Sequence, residues 1–530
     1  MTEGLSELPI LTPTHVACED VRPSKRGKWR AWVLVGVHVA AALHIAHWKL
    51  TGSSITPLEP SEAGDTLVTG AVNAGFVLFA LLILSTLVLG RWFCGWGCHV
   101  VALQDACSWI LRKLSLEPRP VRSRVLAFVP LWAAVDMFVL PSILRMVSGD
   151  ESPAWALHLT TSEFWARFPG PVVAAITFLV CGFLVVWILG NKGFCTYACP
   201  YGAFFGVADK VAPGRIRVTD ACEGCGHCTV ACTSNVRVHE EVAKFKQVVD
   251  PGCMKCLDCV DVCPKDALYF GFGSLPRAAV AASGKRRKRR FDFSVQEEVV
   301  LALVFVVALY GFRGLNARVP YLLALALAVL AGFAVVSLVR ALRSSDFRLQ
   351  HAVVKAGGSL TPKGWLVVAG LAGFVLLTIH STWIRYHEKS AEAAFREASQ
   401  LSFQDPARRS GFEAALPHLE RIREYALFVP AEIDFLLGQS YQESGRSAES
   451  IDALERAVDR DVTFARAYVL LARHRLDQRE VEGAVELLWR AFELDPTDAY
   501  LPRLTASIVQ NVPGNVRAND LLRELNARPR

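Results

Sequence analysis

Charge is scarce in this chain. Only 20% of its 530 residues are Asp, Glu, Lys or Arg, against 52% hydrophobic. That balance excludes a soluble, highly charged chain and favours one that lies in a membrane. No short apolar core followed by a small-residue cleavage site stands near the N-terminus. About thirty mostly polar residues precede the first apolar run, so a cleavable signal is not expected. The cysteines do not form the dense framework of a secreted disulfide protein. Histidine is missing from the second, third and fourth apolar runs, which leaves His38, His44, His47 and His380 poorly placed to face each other as haem ligands. Blocks of cations are rare as well. The one run, Lys285 to Arg290, stands just before an apolar segment, where it reads as an anchor at anionic headgroups and not as a nucleic-acid site.

Seven apolar segments are present, at about 29–48, 67–90, 125–147, 171–189, 299–312, 319–339 and 364–383. Most approach the twenty residues that cross a hydrocarbon core, and the fifth is short. Basic loops alternate with acidic ones. The positive-inside rule then places the N-terminus and residues 191–298 in the cytoplasm of a bacterial inner membrane, and residues 388–530 in the periplasm. The expected fold is mainly α, a polytopic helical membrane protein with an inserted two-cluster domain and a C-terminal α-solenoid. Its parts are a tail at 1–28, four spans at 29–190, the inserted domain at 191–272, a basic linker at 273–298, three spans at 299–384 and the C-terminal domain at 388–530.

Eight of the 15 cysteines fall in two matching runs. Cys222, Cys225, Cys228 and Cys232 follow C-x2-C-x2-C-x3-C, and Cys253, Cys256, Cys259 and Cys263 repeat it. This is the bacterial ferredoxin spacing, and soft thiolates at that spacing wrap a [4Fe–4S] cubane. In such runs the fourth cysteine crosses to the other cluster. One cluster is therefore expected on Cys222, Cys225, Cys228 and Cys263, and the other on Cys253, Cys256, Cys259 and Cys232. A zinc site would show one or two C-x2-C pairs without the doubled rhythm. Pro264 follows the last ligand as the pattern expects, while Thr233 stands at the matching place in the first run.

Four more cysteines form two C-x3-C pairs, Cys94/Cys98 and Cys195/Cys199, each just after an apolar run. Positions four apart share a helical face, so each pair can aim two thiols one way. If the elements meet, four thiols converge beside the headgroups, to bind a metal or cluster, to cycle through disulfides or to meet a quinone. Cys18, Cys107 and Cys181 are left over, and Cys181 reads as a small packing residue. Asp136 lies within the third apolar run, where an ionisable residue is costly and a proton relay or a packing hydrogen bond is the natural use. Asn73 is a further polar residue in the second run. From Glu388 onward a 34-residue period links Leu437/Leu471, Leu454/Leu488, Ala457/Ala491 and Asp461/Asp495. That period, with Leu437-Gly438, Tyr441, Gly445 and Asp495-Pro496, matches tetratricopeptide landmarks and predicts a surface that docks a partner protein.

The segments Arg91-Trp92-Phe93-Cys94-Gly95-Trp96-Gly97-Cys98 and Gly193-Phe194-Cys195-Thr196-Tyr197-Ala198-Cys199-Pro200-Tyr201-Gly202, with four spans and a double ferredoxin insert, resemble the membrane polyferredoxins of the NapH/NosR type and the FixG/CcoG-type oxidase assembly protein. The resemblance covers roughly residues 29–272. His99 stands where the family has proline after the second cysteine of the first element. The flavin-binding domain of the NosR type is not found, and a tetratricopeptide array stands where the FixG type has an immunoglobulin-like domain. The resemblance implies electron transfer between the quinone pool and a respiratory redox partner, with membrane lipid and a protein docked on the repeats as the other partners. Two other expectations stay open: a maturation factor that reduces or hands over a metal such as copper, and a redox-sensing scaffold.

Overall fold

The computed structural model describes residues 21–116, 118–149, 153–164, 170–284, 291–317, 319–402 and 404–527. Cys18 and the run Lys285 to Arg290 lie outside the described residues. The chain divides into two compact units, Met1–Leu309 with Val319–Leu376, and Tyr310–Arg318 with Leu377–Arg530.

The first unit is built from apolar helices. Among the described residues six helices are long and apolar enough to cross a membrane: Lys25–Thr51, Leu126–Ser148, Pro171–Leu189, Val295–Phe312, Tyr321–Arg343 and Pro362–Gln400. Their ends are written locally. Ser24 Oγ accepts from Gly27 N at the start of the first, Gly52 closes it in the left-handed region, and Pro171 opens the third.

The expected span at 67–90 is broken. Gly70, at φ 76°, ends a helix at Thr69, and Asn73 Oδ1 then accepts from Phe76 N to start the 16-residue helix Ala74–Leu89. Asn73 is thus a helix cap. The short fifth segment is longer than its apolar residues suggest. Val295–Phe312 recruits Glu297 and Glu298 into its first turn. Arg340 Nε donates to Glu297 at 2.5 Å, while Ser123 Oγ and Arg124 N donate to Glu298 at 2.6 and 2.7 Å, so both carboxylates are held inside the unit.

Two helices carry a wide π-helical turn, Val135–Val139 and Phe178–Leu184. The basic loop after Arg343 folds into a three-stranded antiparallel sheet, Phe347–Leu349, Ala352–Ala356 and Ser359–Leu360. The inserted domain is closed by strands Arg215–Val218 and Leu268–Gly271, antiparallel with Ile216 opposite Phe270. Ile216, Val236, Val242, Val248, Ala267 and Leu268 pack with its cysteines into one core.

The second unit is a row of helices. Ala431–Glu443 and Ala465–Asp477 start 34 residues apart, as do Ser447–Arg460 and Val481–Leu494. The period is a packing rule. Leu454 and Leu488 are fully buried at equivalent places, and a Cβ on Gly438 would meet Leu454 Cγ at 2.6 Å.

Candidate functional site

The two ferredoxin-type runs are curled by the same backbone. Gly224 and Gly226 have φ 71° and 83° in the first run, and Lys255 and Leu257 have φ 52° and 67° at the equivalent places in the second. Asn235 and Asp266, each three residues past the fourth cysteine of its run, match at φ 59° and 46°. A left-handed residue with a Cβ costs roughly 1–2 kcal/mol, so Lys255 and Leu257 are held there by their surroundings.

The curl brings the cysteines together in crossed sets. Cys222, Cys225, Cys228 and Cys263 line one small cavity. Cys232 lies within electrostatic reach of Cys253, and Cys259 of Cys256, Cys253 and Cys232 as well as Cys228 of the first set. The short helices His227–Val230 and Asp258–Asp261 carry Cys228 and Cys259. Ala267 N donates to Cys263 Sγ at 3.3 Å, the contact expected by a thiolate. No three His, Cys, Asp or Glu side chains among the described residues close tightly enough for a single metal ion. Eight soft donors in two open sets suit the larger body of a cubane, so these residues fit an iron–sulfur cluster.

The C-x3-C elements are built alike, but not as single helical faces. Each follows an apolar helix, Ala74–Leu89 or Pro171–Leu189, ended by a glycine at positive φ, Gly90 at 72° and Gly190 at 104°. One short helix then holds the first cysteine, Trp92–Trp96 for Cys94 and Gly193–Tyr197 for Cys195. It is closed by Cys98 N donating to Phe93 O at 3.1 Å and Cys199 N to Phe194 O at 3.0 Å. The second cysteine is extended and caps the next helix, His99–Lys113 or Pro200–Asp209. Pro200 presets that helix, and His99 serves at the same place without the ring constraint. The thiols still gather: Cys199 is coupled to Cys195, Cys98 and Cys94, and Cys94 and Cys195 share one core.

Both elements are bolted to the second cysteine run by buried charge, which the sequence reading missed. Arg91 and Lys192 read as charges at the ends of apolar runs, yet they are 7% and 1% exposed. Asp209, fully buried, lies 2.8 Å from both Lys255 Nζ and Arg215 Nη1 and accepts from Arg91 N at 3.1 Å. On the other side Lys192 pairs with Asp105, Arg30 Nη1 donates to Asp105 at 2.8 Å, and Arg30 Nη2 lies 3.2 Å from Asp258. Asp258 sits between Cys256 and Cys259. Despite burial, Lys192 and Arg30 hold the Asp105 carboxyl below the usual range. Gln104 Nε2 donates to Cys195 Sγ at 2.9 Å, and Trp96 Nε1 to Lys255 O at 3.0 Å. A Cβ on Gly95 would come within 2.3 Å of Met254 O. The loop between Cys253 and Cys256 therefore rests directly on the first element.

Asp136 is buried in the π-helical turn Val135–Val139. Two residues on, Phe138 meets Tyr201 and Phe204, beyond Cys199, edge to face. The histidines are used locally: His38 contacts Leu34 O, His44 contacts Ile55 O, His47 contacts Ser54 Oγ and His380 contacts Tyr425 O. None of these four contacts is to another histidine, whereas His387 and His418 meet at 2.7 Å between helices Pro362–Gln400 and Pro406–Tyr425.

Residues 73–117 and 172–219, which hold the two C-x3-C elements, match a family described as "4Fe-4S binding domain", and residues 221–268 match "4Fe-4S dicluster domain". The "Methylamine utilization ferredoxin-type protein MauN" of Methylobacillus flagellatus is 29% identical over 36% of this chain and 66% of its own length. The "Ferredoxin-type protein NapH" of Haemophilus influenzae is 27% identical over 36% of this chain and 66% of that protein. The "Putative electron transport protein YccM" of Escherichia coli is 27% identical over 47% and 68%. The chain thus spans about two thirds of the length of these relatives. The chain is thus similar to ferredoxin-type proteins, with matched 4Fe-4S segments, and among its described residues it has six helices long and apolar enough to cross a membrane.

Proposed function

We propose that the chain exchanges electrons between the quinone pool and a respiratory redox partner, across two [4Fe–4S] clusters at the cytoplasmic face of an inner membrane. Cys222, Cys225, Cys228 and Cys263 hold one cluster, and Cys253, Cys256, Cys259 and Cys232 hold the other. Bound there, each cluster supplies one-electron chemistry. The carrying observation is the seat of the Cys253–Cys256 loop on Gly95 and Trp96. It joins the cysteine runs to an element that ends the apolar helix Ala74–Leu89, so on this reading the electron path leads toward the bilayer. The gathered thiols of Cys94, Cys98, Cys195 and Cys199 form a further soft donor set on that path, suited to another metal or cluster. The helical row of residues 406–527 acts as a tetratricopeptide-type dock for a protein partner.

Anaerobic purification followed by EPR, with and without a menaquinol analogue, tests the reading. Clusters that no quinol reduces, and that reduce no quinone, would sink it. Cys225→Ser and Cys263→Ser are expected to remove the same EPR signal, and Cys232→Ser and Cys256→Ser the other. A maturation role draws on the same four gathered thiols, which suit copper(I). It predicts that a knockout lowers the copper content of a terminal oxidase.

A further inference from the structure

A cavity of about 430 Å³ opens beside the second C-x3-C element, within the size range of small-molecule sites. Its walls come from three places. The start of the span Leu126–Ser148 gives Phe128 and Leu131, the helix Pro200–Asp209 gives Val207, and the inserted domain gives Ser234 and Met254. Phe128, Leu131 and Val207 are 68%, 50% and 58% exposed, so the mouth is apolar and stands where a span begins. Cys195, Arg91 and Ser234 are each less than 9% exposed and form the inner end.

That inner end is short of acceptors. Arg91 Nε and Ser234 Oγ are buried without a hydrogen-bond partner. A buried donor left unsatisfied is costly, so the cavity calls for an occupant that brings acceptor oxygen. Elsewhere in the wall Arg122 donates to Asn235 O at 2.9 Å, Arg237 to Glu240 at 2.7 Å and Arg91 Nη1 to Pro251 O at 3.1 Å. Lys210 and Lys244 also line it, and three carboxylates, Glu240, Glu241 and Asp250, stand among these cations. Those carboxylates disfavour the charged oxygens of a phosphate, so a neutral carbonyl oxygen suits the buried Arg91 and Ser234 donors better.

The geometry points to this cavity as the quinone site: the carbonyl end accepts from Arg91 and Ser234, and the isoprenoid tail leaves between Phe128, Leu131 and Val207 into the bilayer. The assignment rests on the quinone reading above and gives it an address. The ring stands against Cys195 of the second element and Met254, which lies between Cys253 and Cys256 of the second cysteine run.

The test uses the full chain in nanodiscs with a photoreactive azidoquinone, followed by peptide mapping. Label is expected on 121–131 and 203–210. Val207→Trp, which fills the mouth from an exposed position, is expected to lower labelling by about ten-fold with iron content unchanged. Ser234→Ala is expected to weaken binding several-fold. Label elsewhere, equal labelling in Val207→Trp, or a phospholipid held there that excess azidoquinone does not displace would overturn the assignment. Quinol-driven bleaching of cluster absorbance is followed in parallel. Bleaching with label elsewhere moves the site and leaves the quinone reading intact. Label in place without bleaching keeps the site and removes the electron exchange.

Discussion

At the scale of single residues, Asp209 and Gly95 carry more than their types suggest. Asp209 is a buried carboxylate facing Lys255 and Arg215. Removing one partner of a buried ion pair leaves uncompensated charge, at a cost of roughly 3–5 kcal/mol. Asp209→Asn is therefore expected to lower the thermal midpoint in detergent, and adding Lys255→Met to restore part of it. Recovery fails if Lys255 is not the stranded charge. Gly95→Ala acts by shape. Its Cβ would collide with Met254 O, and overpacking of this kind costs typically 1–3 kcal/mol. The expected signature is selective: the EPR signal lost in Cys256→Ser shifts in Gly95→Ala, while the signal lost in Cys225→Ser stays as it is.

At the scale of elements, the link from Asp105 through Arg30 to Asp258 has a pH dependence. Lys192 and Arg30 depress the Asp105 pKa on folding, so its contribution to stability is present above the ordinary carboxylate range. It is lost as pH falls through the depressed value. Melting of the wild type and Asp105→Asn should differ at pH 7 and converge in acid. A gap that persists at low pH would mean that the effect is packing. Elements also mark what the sequence could show. The cysteine spacing, four of the six long apolar helices to within a few residues, and the 34-residue period were legible because each is a repeat written in residue types. The break at Gly70 was not read, although Gly70 and the Asn73 cap are local signals. The two glutamates folded into Val295–Phe312 were not, because their partners Ser123, Arg124 and Arg340 lie far along the chain. The same holds for Arg91 and Lys192, whose burial no local pattern announces. The C-x3-C spacing was read as a helical face, whereas the chain turns inside each pair.

At the scale of the whole molecule, the two cysteine runs share a curl and differ in surroundings. Cys222 and Cys225 are exposed, while Cys253, Cys256, Cys259 and Cys263 are buried. Exposure sets access for oxidants. Controlled ferricyanide or air treatment is expected to erase the signal of the Cys222 set first, as tracked by EPR against Cys225→Ser. Equal loss rates would place both sets at the same depth. The exposed loop is also the face a water-soluble electron carrier can reach, with Glu223 and Lys265 paired 2.9 Å apart beside it.

The tie between Lys255 and Asp209 has a consequence for biogenesis. Glycine makes the first loop's curl without help, whereas in the second loop Lys255 stands in the left-handed region with its ammonium on Asp209, a carboxylate that precedes both cysteine runs. That carboxylate is in place only after Gly90, Arg91 and the helix ending at Asp209 have been assembled around it. If a cluster sits there as proposed, its loading is expected to follow assembly of the preceding apolar helices. A chain stalled halfway into the membrane would then withhold that cluster from electron traffic.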